Sequence, residues 1–284
     1  MEIMKTLRQE IVTILLWVAA ILIVFALGLQ IFGSWYDEWS GFNGSFLLSD
    51  GYCNIAVIPI VGDIVAYNGA SGYVGEDAPI TTSAGDVRAT VQAAQDDPNI
   101  RGIFAPIDSY GGTPVASEVI ANLFKASSMP IAALIGEVGT SGAYLAATGA
   151  DVIFASPFSD IGSIGMTMSY LDNTEQNAEN GIRYISLVSA QFKDYGTPDK
   201  SLTAAERALL ERDLKIYHEQ FVKEVAENRN LPVEEVAKIA DGSSMPASLA
   251  LENKLIDALG NEETVRAWFA EQLKMPIVEV VFCE

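Results

Sequence analysis

Residues 130–166 read PIAALIGEVGTSGAYLAATGADVIFASPFSDIGSIGM, and this stretch decides the fold. Pro130 to Ile135 is a short apolar run, the pattern of a buried strand. Thr140-Ser141-Gly142-Ala143 sets four small residues in a row, and an Ala-rich run of helical composition follows to Ala150. Val152 to Ala155 is β-rich again, and the glycine-bracketed Gly162-Ser163-Ile164-Gly165 comes next. Ser141 therefore sits where a strand turns sharply into a helix. A hydroxyl there lies at the positive end of the helix dipole, beside backbone N–H groups with no acceptor inside the helix. Such a place can stabilise an oxyanion. It is more commonly the place of a Ser that caps a helix.

The same alternation extends outward. Residues 54–65, NIAVIPIVGDIV, predict a buried strand with a turn at Gly62-Asp63, and residues 67–82 a Gly-rich acidic surface loop. Ser83 to Asp96 predicts an amphipathic helix, with Val87 and Val91 on one face. Ile100 to Ile107 predicts a strand and Val115 to Ser127 a helix. Between them lies Gly111-Gly112, where backbone N–H groups can approach a ligand closely. One βα unit before the Ser141 turn, this pair is the candidate second half of an oxyanion hole. Gly181 to Val188 predicts a further strand. A long helix then starts at Thr203, where Thr203 and Glu206 form a T-x-x-E capping box. Leu210, Leu214, Tyr217, Phe221 and Val225 recur at helical spacing and predict one buried face. Short helices are expected at 233–240, 247–253 and 262–273, and a closing strand at Pro276 to Cys283. The whole implies an α/β domain with a mainly parallel sheet.

Composition narrows the function classes. The 284 residues carry a formal charge of −20, from 37 acidic and 17 basic side chains. No basic footprint for nucleic acid or anionic lipid is present, and polyphosphate ligands such as coenzyme A are disfavoured. Cys53 and Cys283 are the two cysteines, too few for a structural zinc site. An extracytoplasmic domain permits one Cys53–Cys283 bridge; otherwise these are two free thiols. His218 is the single histidine and lies in a charged helical stretch, LKIYHEQFVKEV. It reads as a solvated or partly packed residue, which makes a His-based triad improbable.

Ile11 to Phe32 is an unbroken apolar run without charge, long enough to span a bilayer. Trp35, Tyr36 and Trp39 follow it, residues that suit a membrane interface. Lys5 and Arg8 precede it, and no Lys or Arg follows until Arg88. This predicts a cytoplasmic N-terminus (residues 1–10), an uncleaved anchor in the cell membrane (11–33), a linker (34–53) and an extracytoplasmic domain (54–284).

A serine nucleophile needs a base. With histidine disfavoured by count, lysine is next, provided burial leaves it neutral. Lys193 follows apolar Phe192 in a loop ahead of the capped helix. Asp194 beside it would favour the charged form and must point away if Lys193 is the base. The other reading of Lys193 is a loop lysine in water.

Four blocks carry a resemblance. IDSYGGTP (107–114), the nucleophile block TSGAYLAATGADVIFASPFSDIGSIGM (140–166), the lysine block beginning SAQFKDYGTPDK (189–200) and KIADGSSMPASLALENKLIDALGNEETV (238–265) stand in the order found in the signal peptide peptidase A family of serine proteases. Together they span more than half the chain. The resemblance implies a crotonase-like (ClpP-like) fold with a C-terminal helical extension and a Ser/Lys dyad that needs no metal or cofactor. By matching position, Ser141 is the nucleophile and Lys193 the general base. Gly112 and Gly142 are the oxyanion donors, and Ser163 orients the lysine. The resemblance also implies apolar peptide substrates such as remnant signal peptides. It further implies a homo-oligomeric ring in which Ser and Lys of one site come from neighbouring protomers. Tyr110 stands where the family usually has Pro, and could narrow the cleft or alter the oxyanion loop. Ser243 and Asn253-Lys254 also depart from the usual pattern. Two other readings share the fold: a crotonase-type acyl-coenzyme A enzyme and a non-catalytic membrane scaffold.

Overall fold

The computed structural model describes residues 48–67 and 80–283. The expected anchor (11–33), residues 34–47 of the expected linker and residues 68–79 of the Gly-rich loop lie outside them. Among the described residues no helix is long and apolar enough to cross a membrane.

Strands and helices alternate. The first part comprises β1 (Ile55–Val57), β2 (Ile60–Val65), β3 (Thr81–Ser83), α1 (Ala84–Asp96), β4 (Gly102–Gly112), α2 (Pro114–Lys125), β5 (Ile131–Thr140), α3 (Gly142–Ala147), β6 (Val152–Ala155) and β7 (Asp160–Gly162). The second comprises α4 (Thr174–Glu179), α5 (Ala204–Asn228), α6 (Val233–Ile239), β8 (Ser244–Pro246), α7 (Ala247–Glu252), β9 (Ala258–Leu259), α8 (Glu262–Leu273) and β10 (Phe282–Cys283). The helix starts follow local chemistry. Ser83 caps α1 by accepting from the Asp86 N–H, α2 opens on Pro114, and α5 has the expected Thr203/Glu206 capping box.

The strands form one sheet, in which β7–β8 is the antiparallel ladder and the other described ladders are parallel. Its main path runs β10-β1-β4-β5-β6-β9. The two long central strands each change neighbour halfway. β4 pairs β1 through Gly102–Phe104 and β2 from Ile107 onward. β5 pairs β6 up to Ile135 and β7 from Val138 onward. The β4–β5 register shifts between Ile107 and Ser109, and the β2–β4 register between Val61 and Asp63. Such irregularities bend and twist a strand. The C-terminal halves of β4 and β5 thus join β2, β3, β7 and β8 in a segment of their own, and their ends lie side by side.

Alternation along the strands supplies both faces of the core. Ile103, Ala105 and Ile107 of β4 and Ile131, Ala133 and Ile135 of β5 pack in one cluster with Val87 and Val91 of α1 and Ile120 and Phe124 of α2. Phe104, Ala132 and Phe154 point the other way, against Val265 and Phe269 of α8. Each fully buried Ile contributes about 1.5–3 kcal/mol, so a sheet covered on both faces is well supported.

Several expectations need correction. Residues 54–65 form two strands, because Pro59 lies between them; Gly62 (φ 70°) is an irregularity within β2, where a Cβ would meet the Ile80 carbonyl oxygen at 2.0 Å. The end of the Gly-rich loop is strand β3, paired with β2. The strands expected to end at Ile107 and Ile135 continue to Gly112 and Thr140. Residues 181–188 form no strand, since no strand among the described residues pairs with them, and Ile185 and Leu187 are exposed. Within 276–283, Ile277–Glu279 form a 3-10 turn, and Phe282–Cys283 alone reach the sheet edge, beside β1. There Cys53 and Cys283 are bridged, closing 230 residues of sequence separation. The apolar stripe of α5 also divides. Phe221 and Val225 are in the core, whereas Leu214 is half-buried and Tyr217 exposed.

Candidate active site

The ends of β4 and β5 meet at Ser141. Its backbone is held at φ 52° and ψ −124°, a conformation that costs a non-glycine residue of order 1–3 kcal/mol and clusters at functional sites. Two backbone bonds impose it. The Ser141 N–H donates to the Gly162 carbonyl at 2.7 Å, and the Leu145 N–H donates to the Ser141 carbonyl at 3.0 Å. The side chain makes no capping bond. An ordinary helix cap is thereby ruled out: the hydroxyl is held at the start of α3 without serving it. A strained strand-to-helix turn is a general way to present a nucleophilic serine.

Glycines make the surroundings possible. Gly111, at φ 113°, lies flat against the turn; a Cβ there would approach the Gly142 nitrogen to 2.7 Å and the Ser141 Cβ to 3.1 Å. A Cβ on Gly142 would lie 2.3 Å from Ser117 Oγ and 3.2 Å from the Gly112 nitrogen. The amides of Gly112, at the end of β4, and Gly142, at the start of α3, are thus neighbours beside Ser141. Ser109 Oγ donates to the Gly62 carbonyl at 2.6 Å and accepts the Gly111 N–H at 3.0 Å, which fixes the β4 end. Thr140 Oγ1 donates to the Tyr110 carbonyl at 3.3 Å and ties the two ends together. Beneath them Tyr144 is fully buried, its hydroxyl donating to the Leu255 carbonyl at 2.8 Å. Burial pushes its pKa up, so it stays a neutral donor.

Ser141 opens on two cavities. The larger, about 580 Å3, is walled by Val115 of α2, Leu145 of α3, Met166, and Leu214, Tyr217 and Phe221 of α5; Gly112 and Gly142 stand at its Ser141 end. The exposed part of the α5 stripe is therefore the wall of this cavity. The smaller, about 390 Å3, contains Ser163, His218, Asp241 and Gly242. Ser163 is also held at positive φ, 50°, and its hydroxyl donates to the Gly242 carbonyl at 3.0 Å. Among the described residues no cluster of His, Cys, Asp and Glu could hold a metal ion.

The structure thus brings Ser141, Gly112, Gly142 and Ser163 together. Lys193 is exposed and is not among the residues that line either cavity. Asp194 does point into a network of its own. It accepts from Lys200 Nζ at 2.7 Å, Ser186 Oγ at 2.5 Å and Tyr184 Oη at 3.3 Å. Lys200 also donates to Glu206 Oε1 at 2.8 Å, and Glu206 caps α5 through Thr203. The hydrogen bond from Lys200, then that from Ser186, hold the Asp194 carboxyl down to about 2. The same carboxylates raise the Lys200 pKa, so Lys200 stays a cation. Tyr110 is 76% exposed and lines neither cavity, so its side chain does not narrow the cleft. His218 was missed as a neighbour of Ser141. Its spacing of four from Leu214, a stripe residue, was the available signal. Among the described residues no hydrogen bond joins it to Ser141.

Comparison with known proteins accords with this geometry. Residues 123–276 match Peptidase family S49. A putative protease of Methanocaldococcus jannaschii is 31% identical over 169 residues, covering 59% of this chain and 54% of that one. A putative protease of Synechocystis sp. is 36% identical over 167 residues, covering 58% and 60%. A putative signal peptide peptidase SppA of Enterococcus faecium is 27% identical over 190 residues, covering 66% and 55%. The chain thus spans between 54% and 60% of the length of these relatives. Among solved structures, a serine-to-alanine mutant of a membrane-bound stomatin-specific protease superposes with a TM-score of 0.52 at 15% identity, covering 82% of this chain and 93% of that one, a likeness of fold.

Proposed function

Because the chain belongs to peptidase family S49, we propose that it is a serine endopeptidase that attacks peptide carbonyls with Ser141. The observation that carries this reading is the strained, uncapped Ser141 beside the paired amides of Gly112 and Gly142. Ser141 Oγ forms the bond to the carbonyl carbon as its proton passes to a neutral lysine. The Gly112 and Gly142 N–H groups take the developing oxyanion. The lysinium returns the proton to the leaving amine, and the same amine then activates water against the acyl-enzyme.

The base is Lys193 of a second copy of the chain, in a ClpP-like ring whose sites are shared. Three observations support this. Lys193 is exposed and away from the Ser141 cavities of its own protomer. Its ionic neighbour Asp194 is neutralised by Lys200. The segment leading to it carries exposed Leu171, Ile182, Ile185 and Leu187, apolar surface that a neighbouring copy would cover. Ser163 suits the orienting role: its proton is committed to Gly242, which leaves its oxygen to accept from an amine.

The apolar wall of the larger cavity favours peptides with apolar side chains, remnant signal peptides among them. The Cys53–Cys283 bridge supports an oxidising compartment. With the apolar run Ile11 to Phe32, it supports a domain outside the cytoplasm on a single membrane anchor. The test is peptide hydrolysis by the full chain and its variants. Ser141→Ala and Lys193→Ala should each abolish turnover, and mixing the two should restore part of it; His218→Gln should keep it. Labelling of Ser141 by a phosphonate probe would reject a non-catalytic scaffold. Turnover retained by Lys193→Ala but lost in His218→Gln would replace the amine with an imidazole.

A further inference from the structure

The larger cavity has apolar walls, and two glutamates also line it, Glu118 exposed and Glu224 half-buried. On α2, Glu118 follows Val115 by three residues and Pro114 by four, so it lies one helical turn beyond the Gly112 corner. On α5, Glu224 follows Phe221 by three and Tyr217 by seven, again on the face that walls the cavity. Both carboxylates line it. No Lys or Arg does, and among the described residues neither Glu118 nor Glu224 has an ion-pair partner. Glu224 accepts one hydrogen bond, from Gln220 Nε2 at 2.6 Å.

We propose that Glu118 and Glu224 select a basic residue of the peptide substrate, with a Lys or Arg side chain lying in the cavity of Ser141. The chemistry of the walls fits that side chain. Its methylene stem lies along Val115, Leu145 and Phe221, and its cationic head reaches the two carboxylates, as long basic side chains do at apolar–polar boundaries. A purely apolar residue fills the near part of the cavity and leaves two acidic groups to water. The substrate class is therefore a peptide that places a basic residue beside the scissile bond within an apolar context. This inference rests on the peptidase reading above.

The experiment uses the full chain and otherwise identical peptides with Lys or norleucine at each of the three residues on the acyl side of the scissile bond. Norleucine keeps the stem and removes the charge. At one of those positions kcat/KM for Lys should exceed that for norleucine about tenfold, as expected for a charge-assisted contact, and the ratio should shrink with added salt. In Glu118→Gln/Glu224→Gln the ratio should fall toward one. In parallel, binding of the same fluorescent peptides to Ser141→Ala is read by anisotropy. If binding shows the Lys preference and its loss in the glutamine variant but the parent chain cuts nothing, the selectivity stands and the hydrolytic reading fails. A ratio at or below one at every position in both assays, or a preference indifferent to the glutamine substitutions, overturns the proposal.

Discussion

Replacing Gly111 by Ala should disable the site while leaving the fold largely intact. The residue has φ 113°, so any side chain there is strained, at a cost of order 1–3 kcal/mol in stability. The functional cost has a different origin. The new Cβ would start 2.7 Å from the Gly142 nitrogen, and ordinary contact begins near 3.4 Å, so that amide must retreat by about 0.7 Å. Oxyanion donors work within a window of about 2.7–3.1 Å, so such a retreat forfeits most of one donor, a loss of about 100- to 1,000-fold in kcat. The Ser141 Cβ at 3.1 Å and the Thr140 carbonyl at 3.2 Å block relaxation in other directions. Gly51→Ala is the control: φ is 94° and nothing lies within 4 Å, so it carries the backbone strain without the displacement. Steady-state peptide hydrolysis, with thermal unfolding of the same samples, separates the two effects. Gly111→Ala should lose kcat far beyond its stability loss, and Gly51→Ala should lose stability alone. A folded Gly111→Ala protein with kcat within about threefold of the parent would refute the assignment of the Gly142 amide to the oxyanion.

Two further outcomes follow from the clamps around the domain. Cys53→Ser with Cys283→Ser opens a bridge that closes 230 residues, for which chain entropy sets a ceiling of about 5 kcal/mol; the denaturant midpoint should fall, and hydrogen exchange should quicken at Asn54, whose N–H donates to Val281. An unchanged midpoint would mean that the β1–β10 edge holds without it. The Asp194–Lys200–Glu206 network should hold the Lys193 loop only within a pH window. Both carboxyls have depressed folded-state pKa values, so their contribution is full above the ordinary carboxylate range and is lost as pH falls, toward about 2 for Asp194. Lys200 is raised, so its contribution is full below 10.5 and is lost at higher pH. Lys200→Met should therefore speed exchange of the 193–200 amides at neutral pH; protection equal to the parent would count against the network.

The fold was legible in sequence wherever an element buries its own pattern inside one protomer. The α1 helix shows Val87 and Val91 at helical spacing, and both are buried; the α5 start is written in Thr203 and Glu206, and both make the capping bonds. Strand ends were less legible. β4 and β5 run several residues past their apolar stretches, because pairing with β2 and β7 is set by neighbours far away in sequence. The break at Pro59 and the edge position of β10 are likewise decided by which strand lies alongside.

The site divides along the same line. Ser141, Gly111 and Gly112 could be found because the demands on them are local: a turn between strand and helix, and glycines where two strand ends press together. Residues 181–188 gave a wrong strand, because their apolar pattern meets no strand among the described residues and stays exposed at Ile185 and Leu187. Lys193 follows that segment, beside an aspartate whose charge Lys200 already answers. A lysine that serves as general base has to be desolvated, and on the shared-site proposal a second copy would supply that surrounding. If Lys193 of a second copy is the base, as proposed, association of copies would cover the exposed apolar side chains of the 166–201 segment and bring an amine to Ser141 in one step. On that proposal, mild conditions that separate the copies should remove peptide hydrolysis while each protomer stays folded; full activity in a proven monomer would refute the shared site.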